Sequence, residues 1–162
     1  MLFNYGSRNL NFEDYQGSVN KYIINELSLD NIQFSNENYK LILEEYILLM
    51  SKKEDLNLSD FLNHENQDIQ QISITLVSKR HEISKKWEDL HQIFIGDETK
   101  NLEKTIVKSI LSLKQAYLKN KIREINIQIN ESSNPSIDTI SKLNKLNKAL
   151  VKINKLLGRN FN

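Results

Sequence analysis

The sequence of 162 residues predicts an all-α fold, with an N-terminal helical bundle followed by a long helix and a C-terminal antiparallel helical hairpin. The chain contains one proline and four glycines, so few positions force a helix to end. No window shows the period-two alternation of a half-buried strand. Apolar residues recur instead at steps of three and four residues, which is the spacing of an amphipathic helix.

The first two predicted helices span residues 18–27 and 36–52. The first follows a loop that contains Gly6 and Gly17. The second begins behind an Asn or Ser cap, at Ser35 or Asn36, since both residue types cap helix N-termini with a side-chain oxygen. Its apolar face is the widest of the first half, so we expect this helix to lie at the centre of the bundle.

Two shorter helices, 59–63 and 67–78, complete the predicted bundle, with Ser59 as the candidate N-cap of the first. Residues 81–97 are less regular and dense in apolar side chains, which predicts a docking segment between bundle and hairpin. For Trp87 in this segment, a buried anchor is favoured over an exposed binding hot spot.

A long helix is predicted from residue 98 or 99 to about 131, and a last helix from 136 to about 157. Pro135 and Ser136 are suited to the start of the last helix, and Gly158 is suited to its end. The short connection between the two helices predicts an antiparallel hairpin. The expected domains are therefore residues 1–97 and residues 98–162.

Both helices of the hairpin carry apolar seams. In the long helix the seam shifts around the axis between the two halves, as expected when a helix changes its packing partner. In the last helix the steps are 3, 4, 3 and 4 residues, the spacing of coiled-coil a and d positions. We call this set the leucine seam; it consists of Leu143, Leu146, Leu150, Ile153 and Leu157.

The two halves of the chain carry opposite charge. Residues 1–78 contain 12 acidic and 5 basic side chains, whereas residues 79–162 contain 9 acidic and 17 basic ones. Within residues 99–162 the imbalance is 13 basic against 4 acidic. Such asymmetry predicts a surface that faces a partner. That partner could be nucleic acid, an acidic protein face or the acidic first half of the same chain, and composition does not choose among them.

Motifs for catalysis, cofactors or metals are missing from the sequence. The glycines are isolated, so no loop is suited to cradle phosphates. The three histidines, His64, His81 and His91, lack metal-ligand spacing, and there is no cysteine. The adjacent carboxylates Glu44 and Glu45 point apart on a helix and are interpreted as solvated charge. We therefore expect no enzyme activity, no cofactor and no metal site.

The sequence also predicts a cytoplasmic protein with no membrane partner. It contains no cysteine, which suits a reducing compartment. The N-terminal residues have neither the basic start nor the apolar stretch of a secretory signal. The longest apolar run, residues 46–50, is far shorter than a membrane span.

Several stretches of the chain share their pattern with one known family. They are residues 5–6, 19–23, 30–34, 81–87, 91–95, 109–114 and 150–159, the last ending on Leu-Gly-Arg. Together they resemble the C-terminal helicase-binding domain of bacterial DnaG-type DNA primases, most closely the version typical of Bacteroidetes. The resemblance extends over nearly the whole chain.

The resemblance implies a fold and a partner. It implies a helical bundle over residues 1–97 and a helical hairpin over residues 98–162. In that family the domain docks on the N-terminal domains of the hexameric replicative helicase and coordinates primer synthesis with unwinding. The family's zinc-binding and polymerase domains have no counterpart in this sequence, so this chain is not expected to synthesise primers. We expect it to be a monomer when alone.

The resemblance places the helicase contact in the terminal hairpin. An apolar side chain at its tip would be buried in the contact, and the flanking cations would steer the domain toward an acidic helicase surface. The residues we predict for this contact are Lys145, Lys148, Lys152, Lys155, Leu156 and Arg159.

Two other functions stay open for the basic hairpin. It could bind single-stranded nucleic acid, at least weakly, but that role uses aromatic stacking platforms, and residues 99–162 contain only Tyr117 and Phe161. It could also form a homodimer, in which the leucine seams of two copies pair in a four-helix bundle.

Overall fold

The structure is a computed structural model, and it describes residues 1–12, 15–53, 56–78, 101–132 and 135–158. The chain divides into two compact units, Met1–Glu103 (unit 1) and Lys104–Asn162 (unit 2). The described residues form seven helices and one sheet of two strands, so the fold is mostly α. The predicted division after residue 97, the docking segment and Trp87 all lie outside the described residues.

Unit 1 begins with a short helix and a β-ribbon, where the sequence predicted only a loop. Helix α1 spans Leu2–Tyr5, and strands β1 (Asn9–Phe12) and β2 (Tyr15–Ser18) pair in antiparallel register. The predicted helical class is confirmed, and the small β-ribbon is an addition that the sequence analysis did not predict. Strands of four residues are too short to display a period-two pattern, and only Leu10 of β1 is fully buried.

Gly6, at the end of α1, allows two parts of unit 1 to approach closely. A Cβ atom at this position would collide with the carbonyl oxygen of Leu2 and with the hydroxyl of Tyr46. The Tyr46 hydroxyl donates a hydrogen bond to the same Leu2 carbonyl at 3.4 Å. A glycine is therefore required where α1 lies against the bundle.

The next two helices follow the sequence prediction. Helix α2 spans Val19–Leu29, and helix α3 spans Glu37–Lys52. The predicted cap of α3 is confirmed, because Asn36 Oδ1 accepts a hydrogen bond from the backbone N–H of Tyr39 at 3.2 Å. The apolar face of α3 supplies two of the buried core residues, Ile42 and Tyr46.

Helix α4 (Leu58–Leu62) begins one residue earlier than predicted, because its N-cap is Asn57 and not Ser59. Asn57 and Asp60 form a reciprocal capping box, in which the Asn57 backbone N–H donates to the Asp60 carboxylate at 2.8 Å. The Lys53 ammonium also binds this carboxylate, at 2.7 Å. The Asn57 N–H and then Lys53 lower the pKa of Asp60 below its ordinary value.

Helix α5 spans Gln67–Ser78, as predicted. It packs with α3 and α4 around an aromatic centre. The Phe61 ring stacks on Tyr46 with centroids 5.3 Å apart and is tilted against Phe3 at 4.7 Å. Burial raises the pKa of the Tyr46 hydroxyl. The buried apolar residues of this core are Ile42, Tyr46, Leu56, Phe61 and Ile69.

Glu45 is not solvated, and the interpretation of both adjacent carboxylates as solvated was wrong for this one. Its carboxylate lies 3.1 Å from His64 Nε2, and both side chains are half-buried. The backbone N–H of Asn66 donates to His64 Nδ1 at 3.1 Å, so the ring proton is on Nε2 and is donated to Glu45. This contact ties α3 to the connection between α4 and α5, which the sequence does not reveal because the two residues are 19 positions apart.

The two long helices follow. Helix α6 spans Leu102–Glu131 and extends into unit 2, and helix α7 spans Ile137–Leu156 within unit 2. In the first half of α6 the buried positions include Ile106 and Ile110, and in the second half the buried position is Ile125, on a different side of the helix. The burial therefore shifts around the axis as the sequence predicted.

Candidate interaction surface

Helix α7 has a well-defined start and end. The Ser136 hydroxyl accepts a hydrogen bond from the Thr139 N–H at 3.2 Å, which confirms Ser136 as its N-cap. Asp138 in the first turn and Lys155 in the last turn both have the sign that the helix dipole favours. Gly158 has a φ of +67°, and its N–H donates to the Lys155 carbonyl at 3.0 Å.

The leucine seam lies on the more buried side of α7. All five of its members are half-buried and none is fully buried. A helix that packs against a single partner leaves its seam in this state, because one neighbouring helix covers only part of an apolar stripe. Unit 2 therefore has a smaller buried core on α7 than unit 1 has on α3.

The fully buried residue of α7 is polar. Asn154 is 3% exposed, and its Oδ1 accepts a hydrogen bond from Nε2 of Gln115, which is 7% exposed. At the other end of the helix pair, an open groove is lined by Ile125 from α6 and by Thr139 from α7, among other residues. Gln115 thus lies beside Asn154, and Ile125, which is further along α6, lies near Thr139, which is earlier in α7. The two helices therefore run in opposite directions.

Opposite the seam, α7 carries a row of four exposed lysines at steps of 3, 4 and 3 residues. With Leu143 at heptad position a, they occupy positions c and f, outside the seam. Lys145 also lines the edge of the groove that Ile125 of α6 borders. At about 100° per residue they lie within an arc of about 80°. With a rise of about 1.5 Å per residue, the row is about 15 Å long. We call it the lysine stripe; it consists of Lys145, Lys148, Lys152 and Lys155.

The charge of the lysine stripe is not neutralised locally. In the described part of the chain none of its four ammonium groups forms an ion pair. The single acidic residue of α7 is Asp138, in the first turn and seven residues before Lys145. The stripe is therefore a line of solvated positive charge, which raises the local electrostatic potential.

A lysine of α6 gives a contrast. Lys121 binds Glu124 at 3.0 Å, and that hydrogen bond raises the pKa of Lys121 above its ordinary value. Its ammonium also lies 5.7 Å from the centroid of the Tyr117 ring. Lysines in unit 2 are thus able to find local partners, and those of the stripe do not have them among the described residues.

Leu156 extends this surface with an apolar side chain. It lies next to Lys155 at the end of α7 and is 71% exposed. The structure therefore brings five of the six predicted contact residues onto the outer side and the C-terminal end of one helix. The sixth, Arg159, lies outside the described residues.

Sequence reasoning missed the buried amides Gln115 and Asn154. Asn154 follows Ile153 of the seam directly, and at helical spacing this position borders the packed face. A polar residue at the border of an apolar stripe was a signal that could have been used. It was a weak one, because asparagine and lysine are frequent throughout the last helix.

Two kinds of site are absent from the described residues. No group of three or more histidine, aspartate or glutamate side chains there is placed to hold a metal ion. None of the helices in the described ranges is long and apolar enough to cross a membrane.

Comparison with known proteins places the chain in one family. The model of a family described as a domain of unknown function (DUF8430) matches residues 1–161. No curated protein and no solved structure matches the sequence. None of these comparisons names a primase, so the resemblance to primases stays a prediction.

Proposed function

The chain belongs to the DUF8430 family, and we propose that it is a non-catalytic interaction domain that docks on the N-terminal domains of the hexameric replicative helicase. This role would couple primer synthesis to unwinding at the replication fork, in the bacterial cytoplasm. The observation that carries the proposal is the lysine stripe, because four aligned cations that have no ion pair among the described residues form a surface for an acidic partner. The helicase as that partner rests on the resemblance to primases.

The stripe and Leu156 supply different parts of such a contact. Exposed cations accelerate encounter with an acidic surface, and each pair contributes about 0.2–1 kcal/mol once formed. An exposed leucine at the end of the stripe can be buried by the partner, and full burial of such a side chain contributes about 1.5–3 kcal/mol. We propose that the lysines orient the domain and that Leu156 anchors it.

An acidic protein surface fits the stripe better than single-stranded nucleic acid. Binding of single strands uses aromatic rings on which bases stack. In the described part of unit 2 the one aromatic residue is Tyr117, and the Lys121 ammonium lies against its ring. Among the residues that the structure describes, the stripe thus offers charge without a stacking platform beside it.

The half-buried leucine seam favours a homodimer as the second candidate function. Two copies could cover each other's seams in a four-helix bundle. Charge opposes this arrangement, because each copy contributes 13 basic and 4 acidic residues over positions 99–162. A mass in solution that stays at 19.0 kDa over a wide concentration range would exclude it.

Calorimetric titration into the replicative helicase hexamer of the same organism tests the proposal. The intact chain is compared with a variant in which the four stripe lysines are glutamine. A matched control replaces four exposed lysines elsewhere, Lys21, Lys52, Lys108 and Lys119. We expect the stripe variant to bind about tenfold or more weakly, since four surface pairs are lost, and the control to bind nearly as the intact chain does. Equal affinities for all three proteins, or no binding by the folded intact chain, would reject the proposal.

A further inference from the structure

A groove of mixed polarity lies between α6 and α7, near the connection that joins the two helices. It has a volume of about 360 Å³. Its lining includes Ile125 and Gln128 of α6 and Asp138, Ser141, Lys142 and Lys145 of α7. We call it the hairpin groove. Ile125 is 6% exposed, whereas these five polar side chains are all exposed, so the groove combines one buried apolar residue with solvated polar ones.

The hairpin groove carries net positive charge, because Lys142 and Lys145 line it together with one carboxylate, that of Asp138. Asp138 lies four residues before Lys142, a spacing at which opposite charges on a helix often pair. The two nevertheless form no ion pair, and neither does Lys145 with any described residue. The potential in the groove therefore favours an anionic group.

The uncharged polar side chains of the hairpin groove supply hydrogen-bond donors for such a group. The Gln128 amide has two N–H donors, and the Ser141 hydroxyl has one. Neither side chain makes a hydrogen bond within the described part of the chain. Hydrogen bonds from donors of this kind to an ionised carboxylate are roughly twice as strong as those between neutral groups.

The hairpin groove is continuous with the lysine stripe, because Lys145 belongs to both. Lys142 lies three residues before Lys145, and at about 100° per residue it is displaced from Lys145 by about 60° around α7. Together with the stripe it forms a row of five lysines about 20 Å long, from Lys142 to Lys155. Positive charge thus continues from the outer side of α7 to the flank that borders the groove.

We propose that an acidic segment of a partner protein binds along the lysine stripe and continues into the hairpin groove, where Lys142, Gln128 and Ser141 receive a carboxylate side chain. This inference rests on the proposed function, since it takes the stripe to face an acidic protein, and it adds three residues to the contact. A nucleic acid fits the groove less well, because none of the described residues that line it is aromatic and could stack on a base.

Titration of the intact chain with hexaglutamate, followed by the amide chemical shifts in nitrogen-15 NMR, tests the groove with a defined probe. We expect the amides of Gln128, Ser141 and Lys142 to shift and to reach saturation. K142Q should weaken the binding of hexaglutamate about two- to fivefold, since one exposed ion pair is lost. D138N should strengthen it by about twofold, since it removes a carboxylate that repels the ligand.

K119Q is the matched control for K142Q. It removes the same charge from an exposed position of α6, nine residues before Gln128 and therefore on the opposite side of that helix. We expect K119Q to bind hexaglutamate nearly as the intact chain does. Equal weakening in K142Q and K119Q, or shifts confined to residues 148–155, would overturn the proposal. Tighter binding of hexathymidylate than of hexaglutamate would overturn it as well and assign the groove to nucleic acid.

Calorimetric titration into the helicase hexamer separates this inference from the proposed function. Weaker binding by K142Q than by K119Q would support the contact in the groove. Binding that is lost when the four stripe lysines are glutamine but unchanged in K142Q would overturn that contact and leave the proposed function intact. If the folded intact chain does not bind the helicase, the proposed function is rejected, and the hexaglutamate titration alone decides on the groove.

Discussion

Helices α3 and α7 are both amphipathic, but they differ in how far their apolar faces are buried and in the surfaces that they expose. Helix α3 buries Ile42 and Tyr46 in a core that includes the stacked ring of Phe61. Helix α7 keeps its seam half-buried and buries one asparagine. The apolar face of α3 is thus used within the fold, whereas α7 retains exposed charge and an exposed leucine, Leu156.

Lys53 of unit 1 and the lysine stripe of unit 2 differ in the same way. In unit 1, Lys53 binds Asp60 at 2.7 Å and so reinforces the capping box of α4. In unit 2, no lysine of the stripe has an ion pair among the described residues. Positive charge in unit 1 is thus partly used for structure, and on α7 it is available for recognition.

The largest loss of stability is expected from F61A in unit 1. Phe61 has no exposed surface and contacts two aromatic rings, so its removal leaves a cavity. We expect the free energy of unfolding to fall by about 3–5 kcal/mol, measured by urea denaturation. L29A, at a side chain that is 71% exposed, is the control and is expected to change it by less than about 0.5 kcal/mol. Similar losses for both variants would contradict the described core.

A smaller loss is expected from G6A. The added methyl group would collide with the Leu2 carbonyl oxygen and the Tyr46 hydroxyl, so α1 or the tyrosine must move. We expect the free energy of unfolding to fall by about 1–3 kcal/mol. G158A introduces no collision and is strained only by its positive φ, at a cost of about 1 kcal/mol. A free energy of unfolding that is well below that of G6A for G158A, measured by urea denaturation, would contradict the close approach at Gly6.

D60N tests the capping box through its dependence on pH. The pKa of Asp60 is lowered in the folded chain, so its contribution is present above the ordinary carboxylate pKa and is lost as the pH falls through the folded value. At pH 7 we expect the free energy of unfolding of D60N to be about 1 kcal/mol lower than that of the original chain. The difference from the original chain should shrink as the pH is lowered toward 3. E65Q, at an exposed carboxylate, is the control; a loss in D60N that does not depend on pH would reject the role of the charge.

The smallest effect on stability is expected from K148E/K152E in the lysine stripe. Both side chains are exposed and without ion pairs among the described residues, so the free energy of unfolding should change by no more than about 0.5 kcal/mol. The same variant should weaken binding to the helicase and flatten its dependence on salt. A large loss of stability would show that the stripe serves the fold of unit 2 instead.

The sequence predicts the helices well, because their apolar spacing repeats over many residues and their capping residues are adjacent in the sequence. The boundaries of α5 agree to the residue, and Ser136 and Asn36 cap the helices that they were expected to cap. The β-ribbon was missed because its strands have only four residues. Asn57 was missed as a cap because Ser59 lies nearby and is an equally suitable residue type.

Features that depend on distant residues could not be predicted in the same way. The contact between Glu45 and His64 and the bond between Gln115 and Asn154 each join separate helices or connections. Nothing in the local pattern marks the partner of a buried amide. The lysine stripe was predicted because its members lie on one helix, where spacing alone determines which side chains share a face.

Hydrogen–deuterium exchange of the intact chain, with and without a saturating amount of the helicase hexamer, tests whether the helicase contacts α7. It follows both units in one experiment and needs no substitution. We predict slower exchange in α7 on addition of the helicase, with α2 and α3 unchanged. Slower exchange confined to unit 1, or no change in either unit, would contradict the assignment of the interaction to the lysine stripe and Leu156.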